Sequence, residues 1–326
     1  MSFRTIQGGA TTRRGVAKLP HDRSDLLWSG GEPTTLFIDS IDRWVDAMVA
    51  DEHGGGTGPD RLVEARIIGK AVGILCGKPI ADRLLERHFP ECSAEWGINE
   101  GGSVREGDTV VVIRGPADDI LKLERVLLNL LGRLSGIATN TAKWVAAAHP
   151  ILVAATRKTE WGLLDKWAVL SGGGLTHRLD RSDALMLKEN DFAAMAKGDE
   201  DDIGAIQRVV SSIDMTEHSG FTVVEVQSVE QSVAAVAAWD SLQNTRGGNE
   251  KLVLLLDNMG AAGSSDVQHA LSKAGLRQFC ILEGSGGVFL ESLSDWSESG
   301  VDLVSSSALN RGIIPLDMSM LIERSE

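Results

Sequence analysis

Six short apolar runs in this chain end on, or contain, residues able to do chemistry. Thr156, Arg157 and Lys158 follow ILVAA (151–155), and Lys188, Glu189 and Asn190 follow ALML (184–187). Glu225 lies inside TVVEV (222–226), and Asp257 with Asn258 follows LVLLL (252–256). Glu283, Gly284, Ser285, Gly286 and Gly287 follow FCIL (279–282), and Ser305, Ser306 and Ser307 follow VDLV (301–304). The loop SGGGLTHRL (171–179) adds His177 and Arg178. The set has a basic half, Arg157, Lys158, His177, Arg178 and Lys188, and an acidic half, Glu225 and Asp257. Arginine grips carboxylates through a planar fork of N–H donors, and each charge-assisted bond is worth about 1.5–3 kcal/mol. Such a set can hold a polyanion on one side and cationic character on the other. The turn GSGG (284–287), followed by helix-like FLESLSDW, offers backbone N–H groups to a phosphate.

Taken singly, each feature has an ordinary structural reading. A Gly-rich segment is usually a turn, a lone carboxylate a cap or salt-bridge partner, and an arginine a solvated strand end. Their recurrence at the same end of successive elements is what favours function.

Those elements are legible in the apolar pattern. Continuous apolar runs without alternation fit strands buried on both faces, and the stretches at 202–214 and 229–242 are long enough for crossover helices. The alternation predicts an α/β architecture, a parallel barrel or part of one, whose strand carboxyl ends gather on one face. Upstream, residues 1–35 are rich in Gly, Thr and Pro and read as a flexible leader. Residues 36–50 have helical periodicity, 51–60 form a loop, 62–75 read as a strand pair, 79–89 as a helix and 107–116 as a strand. A long helix is expected over 121–139, with Leu123, Leu127, Leu130, Leu131 and Leu134 on its apolar face and Arg125, Asn129 and Arg133 on a polar stripe.

Composition narrows the partners. The 326 residues carry 46 acids and 32 bases, a net charge of -14. A surface that acidic repels nucleic acid and anionic lipid, and no apolar run is long enough to span a bilayer. The cysteines, Cys76, Cys92 and Cys280, are odd in number and far apart, which suits small buried hydrophobes in a reducing, cytoplasmic setting.

Eight segments together resemble the quinolinate phosphoribosyltransferase family. They are ERVLLNLLGRLSGIAT (124–139), TRKT (156–159), GGGLTHRL (172–179), LMLKEN (185–190), VEV (224–226), LLLDNM (254–259), EGSGGV (283–288) and SALNRGIIPLDMS (307–319). The resemblance runs from about residue 60 to the C-terminus, and it rests on the order and spacing of all the segments. It implies an N-terminal α/β sandwich domain (36–135), an incomplete TIM-like α/β barrel (136–310) and a C-terminal segment (311–326) returning to the first domain. It implies quinolinate and 5-phosphoribosyl 1-diphosphate as substrates, with nicotinate mononucleotide, diphosphate and carbon dioxide as products. Arg125, Arg157, Lys158, His177, Arg178 and Lys188 match the quinolinate-binding positions, and Ser285, Gly286 and Gly287 the phosphate-binding turn, to which Ser307 and Arg311 are added. Glu225 and Asp257 match the acids at the ribose and its Mg2+; with Lys158 they are the expected catalytic residues. The family's dimers, or multiples of dimers, imply that Arg125 completes the partner's site.

The chain departs from the family pattern at six positions. Glu160, Trp161 and Leu164 replace a Thr-Pro and a later Arg, Asp191 replaces a His, and Ser307 and Arg311 replace a Gly and a His. Two other readings share the same residues: a phosphoribosyltransferase for nicotinate or another aromatic acid, and a non-catalytic ligand-binding paralogue. The full basic set favours a dicarboxylate over a monocarboxylate, and the intact Glu225 and Asp257 favour catalysis.

Overall fold

A computed structural model describes residues 18–52, 61–215 and 220–322. Most of the loop expected at 51–60 lies outside the described residues, as do residues 1–17 of the expected leader and 323–326 of the C-terminal segment. The chain divides into two units, one from Met1–Lys143, Lys158–Thr176 and Ala308–Glu326, the other from Trp144–Arg157 and His177–Ser307.

The first unit begins, within the stretch read as leader, with a 3-10 turn (Ser24–Leu26) and a small hairpin of β1 (Trp28–Ser29) and β2 (Glu32–Pro33). Gly30 and Gly31 form its two-residue turn with φ of 64° and 90°, so glycines that suggest flexibility serve a tight turn. Helix α1 (Thr35–Glu52) buries Phe37, Ile41 and Val45 along one face. The 62–75 stretch does form two strands, β3 (Leu62–Gly69) and β4 (Gly73–Ile74), but they belong to different sheets. At the end of β3 the Gly69 N–H donates to the Asp108 carbonyl and the Lys70 N–H to the Asp317 carbonyl, so β3 keeps its own neighbours, while Gly73 pairs with Val104. Helix α2 (Lys78–His88) follows, then β5 (Ser93–Trp96), β6 (Ser103–Val104) and β7 (Thr109–Pro116).

The long helix α3 covers Ala117–Ala148, longer at both ends than the apolar pattern suggested. Asp118 and Asp119 in its first turn complement the helix dipole. All five leucines of its expected apolar face are buried.

The second unit is built on β8 (Leu152–Ala154), β9 (Leu185–Leu187), β10 (Thr222–Val226), β11 (Leu252–Asp257), β12 (Cys280–Ser285) and β13 (Leu303–Ser305). Helix α4 (Leu163–Ser171), after β8 in the chain, belongs to the first unit. Helices α5 (Glu189–Met195), α6 (Asp202–Ser211), α7 (Val229–Arg246), α8 (Gly260–Lys273) and α9 (Leu293–Glu298) complete the alternation. The six strands pair in the order β8-β13-β12-β11-β10-β9, all parallel. That is a barrel's circular order with the β8–β9 pairing missing, hence an incomplete TIM-like barrel. Leu252–Leu256 of β11 are all buried, which explains the unalternating run.

The last strand, β14 (Met318–Ile322), pairs antiparallel with β3 in the sheet β14-β3-β7-β5. The approach to it crosses α3 at two glycines one turn apart. Leu316 N–H donates to the Gly132 carbonyl, and a Cβ on Gly136 would lie 2.5 Å from the Ile314 oxygen.

Candidate active site

Because the second unit's strands are parallel, their carboxyl ends lie along one edge, and the register ranks the residues there. Asp257 pairs with Ser285, Ser285 with Ser305, and Ser305 with Ala154, so these four share one level. Glu225 pairs with Leu255, two residues below Asp257; in a strand this puts both acids on the same sheet face.

Lys188 directly follows β9, and its ammonium bonds the Glu225 carboxylate of neighbouring β10. The backbone N–H of Lys188 donates to Asp191 Oδ2 at 3.0 Å. Asp191, where the family pattern has His, thus closes the first turn of α5 and fixes the residue carrying the cation.

Arg157, in the turn after β8, is exposed, whereas Arg178 is 8% exposed. Arg178 donates to the Ala184 carbonyl at 3.1 Å and to Met186 Sδ at 3.2 Å. Burial holds its pKa below the ordinary arginine value, and the positive charges of Arg157 and Arg181 depress it further against the opposing pull of Asp180 and Asp183. A buried guanidinium repelled by two others is a site that an arriving anion relieves. Arg181, which the sequence reading did not single out, is a member of that cluster. Asp180, whose pKa is lowered chiefly by the Ser182 hydroxyl, stays ionised and shapes the turn through bonds from Ser182 and Asp183.

His177 is buried, with a φ of 54°. Its Nδ1 accepts from the Arg178 N–H at 2.7 Å, which assigns the ring proton to Nε2, and Nε2 meets Glu283 Oε1 at 3.2 Å. Both ring nitrogens are engaged, and the ring anchors the backbone of Arg178. Glu283, fully buried in β12, was legible only as the acid ending an apolar run.

At the phosphate-binding candidate, Gly286 and Gly287 have φ of 80° and 63°. A Cβ on Gly286 would stand 2.3 Å from Asn258 Oδ1. Asn258 packs there because its N–H donates to the Ser285 carbonyl at 2.9 Å; its side-chain amide donates to Asp257 Oδ2 at 2.8 Å. The two strand ends are therefore tied together by a residue whose role was not read from the sequence. Ser307, half-buried, opens the 3-10 turn after β13.

Arg125, Lys158 and Arg311 belong to the first unit. Arg125 is exposed on α3, Lys158 is exposed and bonded through its carbonyl to Asn310, and Arg311 is exposed before β14.

Glu225 and Asp257 suit a hard cation. Both offer carboxylate oxygens on one sheet face, and Mg2+ is typically held by one or two carboxylates with substrate phosphates and water. Glu225 shares its charge with Lys188, which leaves Asp257 the stronger contributor.

Comparison with known proteins agrees with this architecture. The family model "Quinolinate phosphoribosyl transferase, N-terminal domain" matches residues 47–135, and that of the C-terminal domain matches 137–321. A Nicotiana tabacum protein named quinolinate phosphoribosyltransferase [decarboxylating] 1b is 33% identical over 272 residues, 81% of this chain and 75% of the relative. A probable nicotinate-nucleotide pyrophosphorylase [carboxylating] of Archaeoglobus fulgidus is 33% identical over 270 residues, 81% of this chain and 96% of the relative. The crystal structure of NadC from Streptococcus pyogenes superposes with a TM-score of 0.74 at 28% identity, covering 90% of this chain and 100% of that one. Fold and relatives together define an enzyme of the pentosyltransferase class. The chain belongs to the quinolinate phosphoribosyltransferase family.

Proposed function

We propose that this enzyme transfers the phosphoribosyl group of 5-phosphoribosyl 1-diphosphate to the nitrogen of quinolinate and releases diphosphate and carbon dioxide, forming nicotinate mononucleotide in NAD biosynthesis. The observation that carries the reading is the arrangement at the strand ends, where a buried Arg178 is held by the His177 ring and the Ala184 carbonyl in the same unit as the Lys188–Glu225 pair. Quinolinate carries two adjacent carboxylates, and a dianion entering a desolvated site needs several fixed cations. Arg157, Arg178 and Lys188 supply them, with Lys158 and Arg125 assigned to the same substrate on the family resemblance. His177 orients Arg178.

The pyridine nitrogen's lone pair forms a bond to the anomeric carbon as the bond from that carbon to the diphosphate oxygen breaks. Positive charge develops on the sugar ring, where the carboxylates of Glu225 and Asp257 stabilise it. The Ser285–Gly287 turn, with Ser307 and Arg311, takes the 5-phosphate. Mg2+, held by Asp257 and Glu225 largely through substrate and water, would neutralise the leaving diphosphate. The electron pair of the bond to the 2-carboxylate then stays on ring carbon 2, where the positive charge of the adjacent quaternised nitrogen stabilises it; carbon dioxide departs, and that carbon takes a proton from solvent. The protein supplies orientation and electrostatics more than proton transfer.

A homodimer or multiple of dimers, with Arg125 completing the partner's site, and a cytoplasmic location belong to the same proposal. The family resemblance supports the first and the three free cysteines the second. Described helices include none long and apolar enough to cross a membrane.

The test is turnover by the purified protein with Mg2+, the phosphoribosyl donor and either quinolinate or nicotinate. Nicotinate mononucleotide from quinolinate alone is expected. Product from nicotinate alone would overturn the choice of substrate, and no product from either would overturn the activity.

A further inference from the structure

Asp165, on α4, is fully buried and sits at the centre of a network that closes on the turn carrying Lys158. Its Oδ2 accepts from the Glu160 backbone N–H at 2.9 Å, from Asn310 Nδ2 at 3.1 Å and from an Arg133 guanidinium nitrogen at 3.0 Å. Asn310 is also fully buried, and its Nδ2 donates a second bond, 3.0 Å, to the Lys158 carbonyl. Two acceptors on one amide nitrogen fix which way that side chain faces. Asn310 is itself held, because Asn140 Nδ2 on α3 donates to the carbonyls of Ala308 and Leu309 at 2.9 and 3.1 Å.

Arg133 completes the arrangement. It pairs with Glu160 Oε2 at 2.8 Å and lies 4.9 Å over the Trp161 ring, which in turn meets Trp44 at 6.0 Å between centroids. Glu160 and Trp161 are the residues that replace the family's Thr-Pro. The structure gives them a common partner, so the departure exchanges a stiff dipeptide for an ion pair and a cation–π contact on one arginine. The carbonyl of Lys158 and the N–H of Glu160 are thus pinned from opposite sides of Thr159 by two side chains that share one hydrogen bond.

We propose that Asp165 and Asn310 are positioning residues that set the direction of Lys158 toward the substrate carboxylates, with Arg133 neutralising Asp165 and holding Glu160 and Trp161. The inference rests on the reading of Lys158 as a carboxylate-binding cation. Neither residue touches substrate in this account; each acts through the main chain of the 158–160 turn. A cation displaced by about an ångström loses much of its value in an orienting site, whereas a long lysine on a loosened turn still folds.

A double-mutant cycle on the full-length protein separates positioning from general stability. The quinolinate dissociation constant is measured by calorimetry for the wild type, Lys158→Ala, Asn310→Ala and the double variant. Asn310→Ala is expected to weaken quinolinate about tenfold in the wild-type background and less than about twofold in the Lys158→Ala background. Asp165→Asn, which keeps the shape and removes the charge, is the second variant; it serves the same cycle if Asn310→Ala does not fold. An equal loss in both backgrounds would overturn the proposal, because the residue would then act elsewhere. Wild-type affinity in Asn310→Ala and Asp165→Asn beside a defective Lys158→Ala would overturn the positioning and leave Lys158's role standing. Wild-type affinity in Lys158→Ala would overturn the reading of Lys158, and the proposal with it.

Discussion

The ammonium of Lys188 and the carboxylate of Glu225 form an ion pair across neighbouring strands, one just past the end of β9 and the other inside β10. The pair joins the cationic and the anionic halves of the candidate site, so removing either partner changes both. Glu225→Gln is expected to lower kcat about a hundredfold, with a smaller change in the quinolinate KM. Steady-state kinetics check this; unchanged kcat would remove Glu225 from the chemistry. The loss in Lys188→Ala combined with Glu225→Gln is expected to be smaller than the product of the single losses, because each single variant leaves one charge without its neighbour.

Arg178 is expected to report on the dianion directly. Arg178→Ala raises the quinolinate KM about tenfold to a hundredfold. Quinolinate raises the Tm of the wild type by binding the folded state, and that rise shrinks in the variant. Differential scanning calorimetry with and without quinolinate reads both; an equal rise in the two proteins would take Arg178 out of the binding site.

Gly286 has no room for a side chain. Gly286→Ala places a methyl within 2.3 Å of Asn258 Oδ1 at a φ of 80°. The left-handed conformation alone costs an L-residue about 1–2 kcal/mol. The expected outcome is a lower Tm together with a raised KM for the phosphoribosyl donor, since Asn258 ties this turn to Asp257. Wild-type values of both would show that the turn relaxes freely and plays no part in donor binding.

Between α1 and α2, Arg87 and then His88 hold the Asp46 carboxyl down from 3.8 to about 2, against the effect of burial. The folded state therefore prefers the ionised form. Stability from this group is present above the ordinary carboxylate pKa and is lost as pH falls through about 2. Asp46→Asn is expected to melt slightly below the wild type at neutral pH, with the gap closing as pH drops from about 4 to about 2. Exposure keeps the gap small. A constant gap over that range would contradict the assignment.

The barrel strands were the most legible part of the sequence because their apolar runs are largely buried, completely so over Leu252–Leu256; TVVEV coincides with β10 residue for residue. The short strands β5 and β6 were not legible, since SAEW and SV are too brief to show a period. Helix α4 hid for a different reason. LLDKWAVLS carries Asp165 and Lys166, which composition places outside, yet both are buried. Their partners, Arg133 and the Thr176 carbonyl, lie too far along the chain for local periodicity to register. In the candidate site the residue types and their strand-end positions were legible. The Lys188–Glu225 pairing, the tie between Asn258 and Ser285, and the engagement of both His177 nitrogens were not, because each depends on which strand lies beside which.

The fate of a single carbon atom, that of the 2-carboxylate of quinolinate, distinguishes the proposed reaction from its alternatives. Quinolinate labelled at that carboxylate is supplied with Mg2+ and the phosphoribosyl donor, and labelled carbon dioxide is counted against nicotinate mononucleotide. Equal amounts of the two are expected, with turnover that falls in Glu225→Gln and affinity that falls in Arg178→Ala. Nucleotide that keeps the label, or nucleotide formed only when nicotinate replaces quinolinate, would contradict the proposed reaction.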